Sequence, residues 1–173
     1  LIKRTDGTAG WPVQHRSLSG TKYLVLNGTN AEFTTSSYWN NTDATATALT
    51  LGSAAWLNTA GASYISYNFA HNPSKGIFCG SYVGTGSAGN KQTTGFPVGW
   101  VMIKVTNTAS SWYIMDANRT GGKFLSPNNA LTEGTFNMLA FDTDGFTLNS
   151  GDGSTNASGN NYIFMAIADP TQF

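Results

Sequence analysis

Short runs of alternating apolar and polar residues recur along the chain, and no segment shows the 3.6-residue apolar period of a helix. β-Branched and aromatic residues occupy these runs, and Gly, Asn, Asp and Pro separate them, which is typical of strands joined by turns. The predicted strands are Leu1–Thr5, Trp11–Arg16, Thr21–Leu26, Ala31–Trp39, Thr47–Leu51, Gly61–Ala70, Gly76–Gly84, Val101–Thr106, Ser111–Arg119, Gly122–Leu125, Phe136–Phe141, Phe146–Leu148 and Asn161–Ala168. Asp6-Gly7 and Asp142–Gly145 predict hairpin turns. We therefore expect an all-β fold, an antiparallel β-sandwich of jelly-roll or lectin-like type.

The apolar pattern also occurs twice. Trp11 and Trp112 are 101 residues apart (112 − 11), and at that offset the identical pairs are Ile2/Ile103, Lys3/Lys104, Thr5/Thr106, Gly20/Gly121, Lys22/Lys123, Leu24/Leu125, Asn27/Asn128 and Glu32/Glu133. Further along, Tyr64 and Tyr162 match at an offset of 98 (162 − 64). A repeat of this kind predicts a tandem duplication, with Trp11, Trp112, Tyr64 and Tyr162 as its structural anchors. The two copies could form one sandwich or two.

The first copy, residues 1–73, is truncated at its N-terminus relative to the second, residues 74–173. Gly76–Gly84 and Val98–Val101 precede Met102, whereas nothing in this sequence precedes the matching residue Leu1. We therefore expect the Leu1–Thr5 strand to pair with a segment outside this sequence or with a strand of another subunit.

Composition narrows the function classes. Nine basic and nine acidic residues cancel without a basic run, which argues against a nucleic-acid partner. No apolar run approaches the ~20 residues of a membrane span, so we expect no membrane insertion. The single cysteine, Cys79, cannot form an intrachain disulfide and is expected to be a small core residue.

Two patterns resemble binding motifs, but each has a simpler explanation. Gly84–Gly89 fits G-x-G-x-x-G, yet a loop follows it where a dinucleotide site needs a helix. Asp142, Asp144 and Asp152 could offer oxygen ligands to calcium, but the glutamate that closes an EF-hand loop is missing and Asp-Gly is a common hairpin turn. Turns and loops are the favoured interpretation, and no cofactor is predicted.

Catalytic residues are not evident. His15 and His71 are the only histidines, and they are expected at surface or turn positions. Glu32 and Glu133 occupy the same place in the two copies, so they are structural candidates rather than a glycosidase pair. We predict that the protein is not an enzyme.

Aromatic residues in variable segments could stack on sugar rings, whose C–H faces pack against them beside amide and hydroxyl groups. Tyr38, Trp39, Trp56 and Trp100 are the candidates for glycan contact, although core positions are the alternative for each. Trp56, in Ala54–Asn58, has the most loop-like surroundings.

Three segments carry a resemblance to a known type of domain. They are Gly80–Gly86, Gly95–Lys104 leading to Trp112-x-x-x-Asp116-x-x-Arg119, and Asn156–Ala166. The pattern resembles an uncharacterised domain that recurs, often in tandem, in virion structural and tail-fibre-like proteins of marine bacteriophages. The first copy departs from it, because His15-Arg16 stands in the region of Asp116 and Arg119.

The resemblance implies a tail-fibre, head-fibre or decoration module on the virion surface. Such proteins are commonly homo-oligomers, with a trimer favoured. We expect the module to contact either a host-surface glycan or neighbouring virion proteins. No catalytic residues follow from it. A neutral, disulfide-free chain rich in Asn, Thr, Ser and Gly suits this location. The alternatives are a secreted carbohydrate-binding module or lectin, and a glycan-cleaving enzyme.

Overall fold

β-Strands make up most of the regular structure in the computed structural model, which describes residues 1–119 and 121–172. The strands are β1 (Ile2–Arg4), β2 (Pro12–Val13), β3 (Lys22–Val25), β4 (Phe33–Thr34), β5 (Tyr64–Ser66), β6 (Ile77–Val83), β7 (Asn90–Thr93), β8 (Val98–Val105), β9 (Tyr113–Asp116), β10 (Lys123–Phe124), β11 (Gly134–Thr135), β12 (Leu139–Asp142), β13 (Gly145–Leu148) and β14 (Asn161–Ala168). One helical turn, α1 (Ala55–Asn58), and a 3₁₀ turn, Pro73–Lys75, complete the elements. All strand pairs are antiparallel, and the predicted all-β antiparallel fold is confirmed.

Two facing sheets form a sandwich in the C-terminal half, residues 74–172. The central sheet has the order β6-β14-β8-β9, and the outer sheet has the order β12-β13-β7. Since side chains alternate along a strand, Val101, Ile103 and Val105 of β8 all point to the same face, where they are fully buried. Phe164 of β14 meets Phe146 of β13 edge to face, with ring centroids 5.1 Å apart. These contacts are the main hydrophobic core.

Gly80 in β6 is required by the aromatic packing of this core. Phe78 and Phe164 stack with centroids 5.7 Å apart, and a Cβ at position 80 would lie 2.7 Å from atoms of both rings. Only glycine leaves room for the two rings at this place in the sheet.

The N-terminal half, residues 1–73, holds a three-stranded sheet, β2-β3-β4, and a two-stranded sheet, β1-β5. Its own small core consists of Ile2, Tyr38, Trp39 and Leu57. Trp39 is fully buried and its indole Nε1 donates to the carbonyl of Lys22 at 3.0 Å. The segment that follows β4 therefore turns inward and does not continue as a strand.

The two halves pack on each other through the second face of the central sheet. Val13, Leu18 and Leu24 of the N-terminal half contact Trp112 and Ile163 of the C-terminal half. Backbone hydrogen bonds at the same interface join Glu32 to Thr106 (2.7 Å) and Ser110 to Thr29 (2.8 Å). Among the described residues, every strand-to-strand pairing stays within one half, so side chains and loops hold the halves together.

The 101-residue offset relates backbone pairings as well as sequence. In the N-terminal half Lys22 pairs with Thr34 and Tyr23 with Phe33; residues 101 positions further on, Lys123 with Thr135 and Phe124 with Gly134, pair in the same way. Pairs at the ends also correspond, since Lys3 lies opposite Ile65 and Lys104 opposite Ile163. The duplication itself stays a prediction.

The N-terminal segment differs in part from the expectation. The first strand pairs within the chain along one edge, where Ile2, Lys3 and Arg4 lie opposite Ser66, Ile65 and Tyr64. Pairing of its other edge with a segment outside this sequence or with another subunit stays a prediction. Asp6-Gly7 does not close a hairpin, because β1 and β2 lie in different sheets.

Two further segments differ from the prediction. Thr47–Leu51 is not a strand, because the Thr45 hydroxyl accepts hydrogen bonds from the backbone N–H groups of Thr47 and Ala48 and folds a turn there. β7 lies within the stretch predicted as a loop.

The predicted hairpin across Asp142–Gly145 is confirmed, as β12 and β13 pair on either side of it. No helix among the described residues has the length and apolar character needed to cross a bilayer.

Candidate functional site

A cleft of about 660 Å³ lies between the two halves. The N-terminal half contributes Leu1, residues 13–16, residues 44–49 and residues 67–71 to its wall. The C-terminal half contributes Cys79, Met102, Trp112 and residues 163–165. We call this the inter-half cleft. Its volume lies within the range of small-molecule sites, roughly 300–1,000 Å³.

The central sheet forms an apolar floor. Phe164 points into the main core, so its neighbours Ile163 and Met165 point to the opposite face and into the cleft. Met102 of β8 and the ring of Trp112 extend this surface. Such a floor suits the apolar face of a ligand.

His15 is a neutral side chain on the wall. The N–H of Ser17 donates to Nδ1 at 3.1 Å, so the ring proton lies on Nε2, which donates to the carbonyl of Phe164 at 3.1 Å. Burial is the main cause that lowers the pKa of His15 to about 4, and the positive charge of Arg16 lowers it further. Both ring nitrogens are engaged, so His15 positions the segment that carries Arg16.

His71 offers a free donor to the cleft. Its Nδ1 accepts the backbone N–H of Cys79 at 3.2 Å, which leaves the proton of the neutral ring on Nε2. Nε2 has no hydrogen-bond partner among residues 1–119 and 121–172. The ring packs edge-on against Phe78, with centroids 4.8 Å apart. Partial burial lowers the pKa of His71, and Arg16 acts in the same direction.

Arg16 and Gln14 bring two polar groups whose bonding is incomplete. Arg16 is exposed, and its Nη1 lies 3.5 Å from the carbonyl of Cys79, at the outer limit of a hydrogen bond. Gln14 donates from Nε2 to Thr42 at 3.4 Å, but its buried Oε1 has no partner among the described residues. A buried acceptor without a donor costs roughly 1–3 kcal/mol.

Two aromatic rings stand at the rim. Tyr67 is 44% exposed and Phe69 is 45% exposed, and both line the cleft. Tyr67 stacks on Trp11 with ring centroids 6.4 Å apart, which holds it in place. The rim therefore carries the flat apolar surfaces that sugar binding needs, beside the amide of Asn68.

A family model matches residues 1–170, and its description is Domain of unknown function (DUF7483). The chain belongs to the DUF7483 family. No curated protein and no solved structure is significantly similar to it.

The structure places the four predicted glycan-contact residues of the DUF7483 domain away from the cleft. Tyr38 and Trp39 are buried in the N-terminal core, with Tyr38 stacked on Tyr23 at 3.7 Å, so the prediction that they contact a glycan is wrong. Trp100 is half-buried in β8. Trp56 is 39% exposed and its ring packs on Gly10. A Cβ added at Gly10 would lie 2.5 Å from Cζ3 of the Trp56 ring.

The four predicted repeat anchors make equivalent contacts. The backbone N–H groups of Trp11 and Trp112 each donate at 2.8 Å to an Asn Oδ1, that of Asn27 and that of Asn128. The hydroxyl of Tyr64 donates to Ala55 at 3.0 Å and accepts from the N–H of Thr59 at 2.9 Å. Tyr162 repeats this arrangement with the carbonyl of Gly153 (3.1 Å) and the N–H of Ala157 (2.9 Å).

The acidic residues suggested for calcium have separate protein partners. Asp142 accepts from the Thr147 hydroxyl at 2.6 Å, Asp144 pairs with Lys91 at 2.7 Å, and Asp152 accepts from the N–H of Ser154 at 2.7 Å. Within the described residues, no group of three or more His, Cys, Asp or Glu side chains could hold a metal ion. Each carboxylate shapes a turn or strand end.

Glu32 and Glu133 also have structural partners. Glu32 pairs with Lys22, and Glu133 pairs with Lys123 (2.8 Å) and with Arg119 (3.3 Å). Arg119 in turn binds Asp116 at 2.5 Å. The Asp116…Arg119 motif is therefore part of an ion-pair network beside β10, and it does not face the inter-half cleft.

Proposed function

We propose that this DUF7483 domain is a structural and adhesion module of a bacteriophage particle, in a tail fibre, a head fibre or a capsid decoration, and that it binds a glycan of the host surface in the inter-half cleft. The observation that carries the binding role is the cleft itself. It joins an apolar floor, two exposed aromatic rings, and hydrogen-bonding groups on Asn68 and His71 in about 660 Å³. This combination is what a sugar ring with one apolar face and several hydroxyls requires.

A binding role is favoured over glycan cleavage by the residues of the cleft wall. Glycoside hydrolysis ordinarily uses two facing carboxyl groups. The side chains that line the inter-half cleft, taken from the described residues, include no Asp and no Glu. The wall chemistry therefore supports recognition.

Contacts with neighbouring virion subunits are supported by apolar side chains elsewhere on the surface. Leu131 is 78% exposed and Val83 is 57% exposed. We propose that such residues face other copies, with a trimer as the favoured assembly. The molar mass of the purified domain, measured by light scattering, tests this assembly: a trimer gives three times the mass of one chain, and the mass of a single chain would contradict it.

Two experiments test the function. Antibodies against the domain, used in electron microscopy of purified particles from the source phage, should label the fibre or capsid surface; absence of the chain from any virion would leave the alternative of a secreted lectin. Binding of the purified domain to an array of bacterial polysaccharides tests the adhesion role, and silence across the array would contradict it.

A further inference from the structure

Two cationic or proton-donating side chains of the cleft meet at the backbone of one residue, Cys79. The guanidinium of Arg16 lies 3.5 Å from the carbonyl oxygen of Cys79, and Nδ1 of His71 lies 3.2 Å from its nitrogen. Arg16 and His71 come from positions 55 residues apart (71 − 16), and the fold brings them to the same point of β6. The free Nε2–H of His71 and the N–H groups of Arg16 are thus neighbouring donors.

The charge of Arg16 is not balanced. The chain has three arginines, and the other two are ion-paired: Arg4 with Asp6 at 2.7 Å, and Arg119 with Asp116 at 2.5 Å. Arg16 has no carboxylate within ion-pair distance among the described residues, and the cleft wall offers none. An unpaired guanidinium beside a neutral imidazole donor is a site for a planar anion, because the guanidinium fork matches a carboxylate.

We propose that the inter-half cleft selects a sugar that carries a carboxylate, such as a uronic acid unit of a polysaccharide, and binds that carboxylate between Arg16 and His71. This inference rests on the proposed glycan-binding function and specifies the ligand. A carboxylate there receives the Arg16 fork and the His71 Nε2–H, while the sugar ring lies on the aromatic rim.

The aromatic rim separates a sugar acid from a simple anion. Tyr67 and Phe69 supply apolar surface that a small inorganic ion cannot use. Recognition by Arg16, His71 and this rim therefore requires an acid group and an apolar ring face in one molecule.

The test compares three probes on the folded domain by isothermal titration calorimetry at pH 7: an oligomer of galacturonic acid, its methyl ester, and a galactose oligomer of equal length. We expect the acid to bind at least about tenfold more tightly than the other two, since a hydrogen bond to a charged group contributes about 1.5–3 kcal/mol. Arg16→Gln should remove that preference, so that the acid and its methyl ester bind with similar affinity. Arg16→Lys should keep part of it. Arg4→Gln, which alters an arginine outside the cleft wall, is the matched control.

The outcomes separate the inference from the function. Equal binding of the three oligomers, with no effect of Arg16→Gln, overturns the selection of an acid but leaves glycan binding intact. Binding of none of the three, extended to panels of acidic and neutral polysaccharides, contradicts the glycan-binding function as well. Competition by sulfate at the same concentration as the sugar acid overturns the inference in favour of a simple anion site. Because Arg16 is exposed, its variants are expected to keep the thermal midpoint of the wild type.

Discussion

The indole Nε1 of Trp112 donates a hydrogen bond of 3.0 Å to the backbone carbonyl of Val25, and this bond joins the C-terminal half to the N-terminal half. Trp112 is also buried among Val13, Leu18 and Leu24. The cleft depends on this contact, because Trp112 forms part of its floor.

Trp112→Phe should therefore destabilise the protein. The change leaves the carbonyl of Val25 without its donor and removes buried apolar surface, and we expect a loss of about 2–4 kcal/mol in the free energy of unfolding. Urea denaturation followed by circular dichroism measures it. Trp11→Phe is the control, because Trp11 is only half-buried and its contact to Asn27 uses the backbone. An equal loss for both variants would contradict the role of the Trp112 indole.

The tyrosine anchors predict a graded effect of removing one hydroxyl. Tyr162→Phe loses a donor to Gly153 and an acceptor for Ala157 inside the core, which should cost about 1–3 kcal/mol. Tyr64→Phe loses the matching bonds at a half-buried site, where water can replace them, so its cost should be smaller. Chemical denaturation of the two variants tests the order, and a larger effect at Tyr64 would contradict it.

The strands that build the core were predictable from sequence, and the reason is their apolar alternation. β6, β8 and β14 carry β-branched or aromatic residues on the buried face, and Asp-Gly marks the β12–β13 hairpin. β7 was missed because Asn90–Thr93 has no apolar residue; it is an edge strand held by its ladder to β13. A polar edge strand leaves no periodic signal.

The cleft could not be predicted, because its polar residues come from separate segments. His15, His71 and Cys79 carry no shared spacing, and only the folding of β2 over the second face of the central sheet brings them together. The one signal in the sequence was the departure of His15-Arg16 from the Asp116…Arg119 pattern. The sequence does not separate buried from exposed rings at Tyr38 and Trp39: Tyr38 stacks on Tyr23, and the Trp39 indole bonds the carbonyl of Lys22, so contacts with a distant strand hold both rings inside.

His15 should make the free energy of unfolding depend on pH in the mildly acidic range. The pKa of His15 falls from about 6.5 in the unfolded chain to about 4 in the folded protein, so between these pH values the unfolded chain binds more protons. The contribution of neutral His15 to the free energy of unfolding is therefore fully present above pH 6.5 and is lost as the pH falls to 4. The size of this loss is on the order of 2–3 kcal/mol.

His15→Gln, which keeps an N–H donor for Phe164, should flatten that part of the profile of unfolding free energy against pH. His71→Gln is the control, since His71 is more open to solvent. A wild-type profile that His15→Gln leaves unchanged between pH 4 and 6.5 would contradict the assignment.

Lys104 predicts a second pH effect, on the alkaline side. Its buried Nζ donates to the carbonyls of Ser110 (2.8 Å) and Thr29 (3.3 Å), and burial lowers its pKa from 10.5 to about 8. Lys104 therefore binds its proton more tightly in the unfolded chain than in the folded protein. As a result, the free energy of unfolding increases as the pH rises from 8 to 10.5.

Lys104→Met should abolish this increase, which is on the order of 2–3 kcal/mol. Lys3→Met, at the matching but half-buried position, serves as the control. Thermal denaturation at intervals across pH 7.5–10.5 gives the comparison, and parallel profiles for wild type and Lys104→Met would contradict the explanation.

The inter-half cleft as a site for an acidic sugar is the central claim, and nuclear magnetic resonance of the labelled domain tests it most directly. Titration with an oligomer of galacturonic acid should shift the signals of the His71 ring, the Arg16 guanidinium, and the Tyr67 and Phe69 rings. It should leave those of Trp56 and Trp100 in place. Shifts confined to Trp56 or Trp100, with the cleft signals unmoved, would contradict the claim.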